Sequence, residues 1–398
     1  MVRLAPDARY RVSKRGLVLA GETGETVLFE HPRAADLPDL LGDDPTSAVL
    51  VSRLGPPLDD TVVDDLLDLG ILTDRARPQR NPSRHRSVSV TRSGLLIRGI
   101  ATPARLLDRY LVPVLLHPAG AVAIAAVVLS GVVALLTGRP TGLPAVSSAP
   151  AVEALLMITI GTAATVCHEL AHAVALHHFG RIPLRAGFGF YWGALSFFVD
   201  STPALTLPRR QRVTQALVGL AVDVVTTAAF AIAAHLLVSH PLIAIVLWRL
   251  AILRCVDIAV NLAPILQVDG HWALADYLDE PDLAPRARRA AGRALRGRLP
   301  DGQRALAGYG VFSLIVGIAL IAIGATVFWI NSSDLVVALF TGDTTDILIG
   351  VYYVGPLVLG VAFSVLGLLL ETLSVGVDRH TLPPSAFSAP DDATHDHG

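Results

Sequence analysis

Lysine is almost missing from this chain of 398 residues: Lys14 is the only one, and every other basic side chain is arginine. Charge of either sign is scarce, at 17% of residues against roughly a quarter in soluble globular proteins. That excludes a disordered chain or one that coats nucleic acid. There are two cysteines, Cys167 and Cys255, both in apolar stretches, which argues against a disulfide framework of the secreted kind. The first residues, MVRLAPDARYRVSKRG, are polar and lack the apolar core of a signal peptide, so insertion is expected to begin at an internal segment. What is abundant is apolar surface: 52% of residues, a mean hydropathy of +0.55, and runs of twenty or more apolar residues in the second two-thirds of the chain. These place it among polytopic membrane proteins. The formal net charge of −2 points to no global electrostatic partner.

Residues 1–78 read as a small soluble domain, with strand-like stretches at RYRVSKRGLVLAG and ETVLFEHP followed by two or three short helical patterns ending at VVDDLLDLGIL. A unit of that size buries only about 60% of its unfolded surface, so it is expected to lean on something else. Residues 79–110 read as an Arg, Pro and Ser-rich linker, DRARPQRNPSRHRS, then an interfacial helix around TPARLLDRYLVPVL. Residues 111–376 form the membrane domain and 377–398 a flexible tail, whose DDATHDHG reads as solvated.

A hydrocarbon core of about 30 Å takes about 20 helical residues, and six segments qualify: 114–137, 151–178, 213–238, 241–265, 308–330 and 347–374. Arginines decide the orientation. Arg98, Arg105 and Arg109 precede the first span, Arg181, Arg209, Arg210 and Arg212 lie between the second and third, and RARRAAGRALRGRLP follows the fourth, whereas NSSDLVVALFTGDTTD has no basic residue. Six spans with both termini cytoplasmic, in the cell membrane, satisfy every loop. The expected fold class is therefore mainly α: a polytopic helical membrane protein with a small α+β domain at its N-terminus.

Inside the second expected span stands HELAH, with His168, Glu169 and His172. Ionisable groups at such depth are costly, so the cluster is a functional site by default. Positions i and i+4 share a helix face, so both imidazoles can bind one metal while Glu169 reaches a metal-bound water, the zinc-peptidase arrangement. A catalytic zinc site needs a third protein ligand. NLAPILQVDGHW offers one, because Pro264 breaks the fourth span and Asp269-Gly270 is expected in irregular backbone enclosed by protein. Asp257 is the other candidate, without a helix break beside it. Arg249, Arg254, Asp257 and Asp223 also lie in apolar surroundings; Arg254 and Asp257 have the i, i+3 spacing of a helical pair, and the four are expected to pair structurally. RAGFGFYWGALSFFVDSTPALTLP, between the second and third spans, is too short and glycine-rich to cross and reads as a re-entrant hairpin. His177 and His178 sit at a helix end, where cations suit the dipole.

At HELAH and NLAPILQVDGHWALADYL the chain resembles the site-2 protease family of intramembrane zinc metalloproteases, whose pattern is HExxH in one helix and Asn-x-x-Pro leading to Asp-Gly in a later one, here Asn261, Pro264, Asp269 and Gly270. The branch it looks most like is that of peptide zinc metalloproteases which accompany ribosomally made, modified peptides. The resemblance covers about residues 150–285. It implies one zinc per chain held by His168, His172 and Asp269, with Glu169 as general base. By their own chemistry His271 is expected either to donate to the developing oxyanion or to stand behind the ligands or at headgroup level, and Asn261 either to give catalytic support or to serve in helix-breaking packing. It also implies that the re-entrant hairpin receives substrate as an added strand, with Phe190, Trp192 and Asp200 as substrate-binding residues. Departures are His271, where the branch usually has Tyr, and Asp223, where the broader family tends to have Gly-Pro and Asn. Residues 1–78 faintly resemble winged-helix leader-recognition domains of the PqqD-like kind. The function so implied is removal of the leader of a precursor peptide, in the company of peptide-modifying enzymes or an exporter and without nucleic acid. Two alternatives stand: cleavage of a membrane-anchored regulator such as an anti-sigma factor, and a non-proteolytic peptide transporter or immunity protein with a structural zinc.

Overall fold

The computed structural model describes residues 1–6, 8–14, 16–21, 26–43, 45–55, 58–74, 88–91, 94–183, 185–191, 194–265, 268–280, 283–297 and 302–373. Trp192 and the tail from residue 374 onward lie outside them.

The N-terminal domain is α+β. Strand β1 (Val2–Leu4) is followed by a meander of β2 (Arg9–Ser13), β3 (Gly16–Ala20) and β4 (Thr26–Phe29), then α1 (Leu37–Gly42), α2 (Ser47–Leu54), α3 (Asp60–Asp68) and β5 (Leu72–Asp74). The first strand-like stretch is itself a hairpin, with Tyr10 opposite Leu19 and Val12 opposite Leu17. Asp59 caps α3 by accepting from the Val62 N–H at 3.0 Å, the ordinary use of Asp at that position. The end of the LLDLGIL run, expected as helix, turns instead into β5, which pairs antiparallel with β1. That pairing closes the domain around Leu17, Leu19, Leu37, Leu50, Val63 and Ile71, all nearly inaccessible.

The expected linker needs correcting. Residues β6 (Val88–Thr91) and β7 (Gly94–Arg98) form a hairpin, because VSVT and GLLIR carry strand alternation beneath an Arg and Ser-rich composition. β7 pairs with β8 (Arg185–Tyr191), and β8 with β9 (Ala194–Val199), to give one antiparallel sheet in the order β6-β7-β8-β9. The re-entrant hairpin is thus half of a four-stranded sheet. After β7 come α4 (Ala101–Tyr110) and α5 (Val112–Leu116). Asp108 on α4 takes His177 Nδ1 at 2.7 Å and His178 Nδ1 at 2.9 Å. Burial opposes the Asp108 charge, but the two histidines outweigh it and hold the carboxyl below its usual range.

The helical body comprises α6 (Pro118–Leu136), α7 (Pro150–His178), α8 (Arg209–Leu236), α9 (Pro241–Leu262), α10 (Asp269–Leu278), α11 (Leu283–Leu295), α12 (Arg304–Thr341) and α13 (Thr344–Leu373). Five of these, α6, α7, α8, α12 and α13, are long and apolar enough to cross a membrane. Between 6 and 39% of the residues in each apolar window are buried in protein, so most keep some exposure, as helices suited to a bilayer would. Helix α9, the expected fourth span, has 22 residues but carries Arg249, Arg254 and Asp257, which set it apart from the five. Its first two charges are neutralised inside the protein. Arg249 Nε lies 2.9 Å from Glu153 of α7, and Arg249 also donates to the Asn331 and Ala145 carbonyls. Helix α8 packs on α6, α7, α9 and α10. At its contact with α6 a Cβ on Gly131 would stand 2.3 Å from Ala228 Cβ, so only a glycine admits this approach.

Candidate metal centre

His168 and His172 project from one face of α7 toward α8, both buried, about 15 and 9 Å respectively from the C-terminal end of their helix at 1.5 Å per residue. His168, Glu169 and His172 form a group that could hold a metal ion, with ligand atoms within 4.8 Å of one another. Each imidazole is oriented through Nδ1. His172 Nδ1 donates to the Gln215 carbonyl oxygen at 2.7 Å, and His168 Nδ1 lies 2.8 Å from Asp223 Oδ2. A carbonyl can only accept, so His172 carries its proton on Nδ1 and its Nε2 presents a lone pair. The carboxylate of Asp223 selects the same tautomer for His168, the usual arrangement behind a metal-bound histidine.

These partners were only partly legible. Gln215, Gly219 and Asp223 are spaced four apart on one face of α8. A carbonyl at position 215 points toward residue 219, and glycine there leaves it open to His172. A Cβ on Gly219 would stand 2.5 Å from His168 Nε2 and 2.7 Å from His172 Nε2. The signal available was a polar and small stripe on an otherwise apolar helix. Asp223 was expected in a structural pair, and it has one: Oδ1 accepts from Arg254 Nη1 at 3.1 Å. Arg254 also donates to the Gly161 carbonyl and Thr165 Oγ1 at 3.0 and 2.9 Å. The expected helical pair of Arg254 with Asp257 is loose, at 4.0 Å, with the Asp257 side chain 57% exposed. Asp223 takes the guanidinium because it is buried with it.

Asp269 arrives from the other side. Pro264 ends α9 at Leu262, as the restriction on the residue before proline requires. Asp269 does not sit in irregular backbone, however: it is the first residue of α10, where a carboxylate suits the positive helix end. Gly270 makes this possible, since a Cβ there would stand 2.3 Å from the Leu262 carbonyl oxygen. Asp269 Oδ2 lies 3.1 Å from His168 Nε2 and 3.5 Å from His172 Nε2, and the two Nε2 atoms are 3.2 Å apart. Ligands held at 2.0–2.1 Å around a tetrahedral ion are about 3.3 to 3.4 Å from one another. The observed triangle has those dimensions. Asp269 Oδ2 is buried and makes no aligned hydrogen bond among the described residues, so three lone pairs converge on one point, an arrangement that calls for a shared cation.

Glu169 flanks the triangle. Its Oε2 accepts from the Val199 N–H at 2.9 Å, which ties it to the outer edge of β9. The Asp200 N–H donates to the Arg185 carbonyl at 3.0 Å, so Asp200 bonds inward. By the alternation of an antiparallel ladder, Val199, Phe197 and Leu195 then aim their backbone groups outward.

The other expected site residues lie as follows. Asn261 is half-buried in the last turn of α9. His271 is fully buried and, two residues from Asp269, points about 200° round α10 from it. Its Nδ1 is 3.5 Å from Tyr309 Oη, and Tyr309 donates to the Pro264 carbonyl. His271 Nε2 is buried without a hydrogen-bond partner among the described residues. Burial first, and then the Arg288 charge, push the imidazole down to about 4, so it is neutral near pH 7. Asp200 serves its own turn, its Oδ1 accepting from the Thr202 N–H at 3.1 Å and hydroxyl at 2.5 Å. Phe190 is in β8, opposite Leu195.

No protein family, no curated protein and no solved structure matches this chain. The geometry alone therefore bears on function.

Proposed function

We propose that the protein is a membrane-embedded zinc metalloprotease that hydrolyses a peptide bond, and that its substrate is the leader of a ribosomally made precursor peptide. The observation that carries this reading is the triangle of His168 Nε2, His172 Nε2 and Asp269 Oδ2 with Glu169 beside it. Two imidazoles and one carboxylate suit zinc and leave a fourth position open. A zinc ion bound there supplies a Lewis acid for the scissile carbonyl and lowers the pKa of water toward neutrality.

The residues of the chain do the rest. Asp223 and the Gln215 carbonyl fix both imidazoles with Nε2 toward the centre. Glu169 takes the proton of the attacking water and delivers it to the leaving amine, so no covalent acyl-enzyme forms. A helical substrate buries its scissile bond in its own hydrogen bonds. The outward groups of Phe197 and Leu195, next along the edge from the Val199 N–H that Glu169 holds, would keep the peptide extended as an added strand, which brings it past Glu169. In this reading the N-terminal domain and both termini are cytoplasmic. His271, packed against Tyr309, steadies α10 and does not serve the oxyanion.

The test is Glu169→Gln in cells that process the precursor. One zinc per chain should remain, and leader removal should fall by at least about a thousandfold, the scale of a lost general base with its electrostatic role. Normal processing in that strain would refute the assignment. Cleavage of a membrane-anchored regulator uses the same chemistry, and an accumulating uncleaved regulator in the Glu169→Gln strain would favour it. Export of intact peptide by the same variant would favour a transporter with a structural zinc.

A further inference from the structure

The proposed chemistry leaves the N-terminal domain without a task, yet that domain grips the two elements that frame the metal triangle. Arg11 on β2 donates through Nη1 to Asp279 Oδ1 at 2.8 Å and through Nε to the Leu205 carbonyl at 2.6 Å. Lys14 donates through its backbone N–H to Asp279 Oδ2 at 3.3 Å and through Nζ to the Leu278 carbonyl at 2.7 Å. Asp279 is the C-cap of α10, in the left-handed region at φ 56° and ψ 45°. Arg212 of α8 completes the cluster, reaching Asp276 Oδ1 at 2.7 Å and Asp279 Oδ1 at 3.0 Å. The side chains of Arg11, Asp279 and Arg212 are 18, 12 and 2% exposed, so this is an enclosed junction.

Its placement gives it a consequence. Helix α10 has ten residues, too few to be stable alone. Asp269 begins it and Asp279 closes it, about 15 Å away. Lys14 and Arg11 place cations at the negative end of that helix, where they bond its last carbonyl and its cap. Leu205 lies in the short turn after β9, the strand whose Val199 N–H meets Glu169. One guanidinium thus joins the helix that bears Asp269 to the segment that follows the Glu169 contact.

Resting on the reading of Asp269 as the third ligand, we propose that the N-terminal domain is a working part of the metal site: Arg11 and Lys14 are positioning residues that hold α10, and with it Asp269, against His168 and His172. Undocking the domain then loosens the third ligand.

The test uses the full chain in detergent with Co2+ as the probe, reading its visible absorption and the rate at which it is lost to a chelator. Two variants break the junction from opposite sides, Arg11→Ala with Lys14→Ala, and Asp279→Gly. Glycine suits the left-handed backbone at 279, so a mere turn would keep its fold while the carboxylate is lost. Both variants should release Co2+ at least tenfold faster with an altered spectrum, and Arg11→Lys should restore most of the difference. Glu280→Gln, which breaks only the neighbouring pair with Arg286, should match the parent. Release within twofold of the parent in Asp279→Gly overturns the proposal even where the parent binds Co2+ well. A parent that takes up no Co2+ overturns the metal-site reading itself, and this inference with it.

Discussion

Replacing Gly219 by alanine adds one methyl group at the point where α8 meets both histidines. The new Cβ would stand 2.5 Å from His168 Nε2 and 2.7 Å from His172 Nε2, where ordinary contact begins at 3.4 Å. Neither ring has a way to yield, because each is held through Nδ1 by the same face of α8. Helix α8 must therefore withdraw by roughly 0.9 Å, which stretches the 2.8 Å contact of His168 with Asp223 and the 2.7 Å bond of His172 to Gln215 to about 3.6 or 3.7 Å, beyond hydrogen-bond range. Loss of one such orienting partner typically costs 10- to 100-fold in metal affinity. With both strained, affinity should fall by about 100- to 1,000-fold, or about 3 to 4 kcal/mol. Zinc competition with a chelator of known affinity, in detergent, measures this. Gly161→Ala is the control: its Cβ would meet only Leu250 Cδ2, at 3.4 Å, and affinity should stay within about threefold of the parent's. A folded Gly219→Ala protein that binds zinc as the parent does would refute the account of α8 as the backing of the site.

Other outcomes follow from the same geometry. Asp269→Ala should reduce bound zinc from one per chain to a small fraction of that by elemental analysis, whereas Asp257→Ala should leave it unchanged. Asp223→Ala strands Arg254 in the interior as well as freeing His168, so it should lower zinc affinity and also destabilise the fold by about 3 to 5 kcal/mol; Asp223→Asn should be milder in both thermal unfolding and zinc competition. Glu153→Ala leaves Arg249 without its partner about 22 Å along α7 from His168. It should cost a similar 3 to 5 kcal/mol with zinc content intact, and Glu153→Met with Arg249→Met should recover much of the loss. At the domain junction, burial favours the neutral form of Asp279, but the charge and hydrogen bond of Arg11 outweigh it and lower the pKa. A carboxyl depressed in the folded state contributes above its ordinary value of about 3.9 and loses that contribution as pH falls through the lower folded value. The difference in melting temperature between the parent and Asp279→Asn should thus hold from pH 8 to 5 and vanish at the acid end.

The triangle was legible because a helix converts spacing into direction: four residues separate His168 from His172, and a proline followed by Asp-Gly announces a chain that turns back. What spacing could not convey was contact between helices. Arg254 has an acid three residues ahead of it, yet it pairs with Asp223 on another helix, because burial strengthens that attraction and water weakens the exposed one. The hairpin at 88–98 went unread for a different reason. Composition dominates a window of Arg, Pro and Ser, and the alternation beneath it gains meaning only from a partner strand some ninety residues later. The long apolar helices were plain from composition. Helix α9 shows the limit of that criterion, since its charges are satisfied by groups its own sequence does not contain.

That distant pairing has a consequence for how the chain enters a membrane. Leu95 of β7 lies opposite Phe188 of β8, and between them run α6 and α7, both long and apolar enough to cross. Two strands can share hydrogen bonds only in the same compartment, so the number of crossings between them must be even. If α6 crosses outward, α7 must bring the chain back. During synthesis at about 5 to 20 residues per second, β7 waits several seconds with one edge open. The sheet can then close only on a chain whose two crossings are complete, so its register is a parity check on insertion.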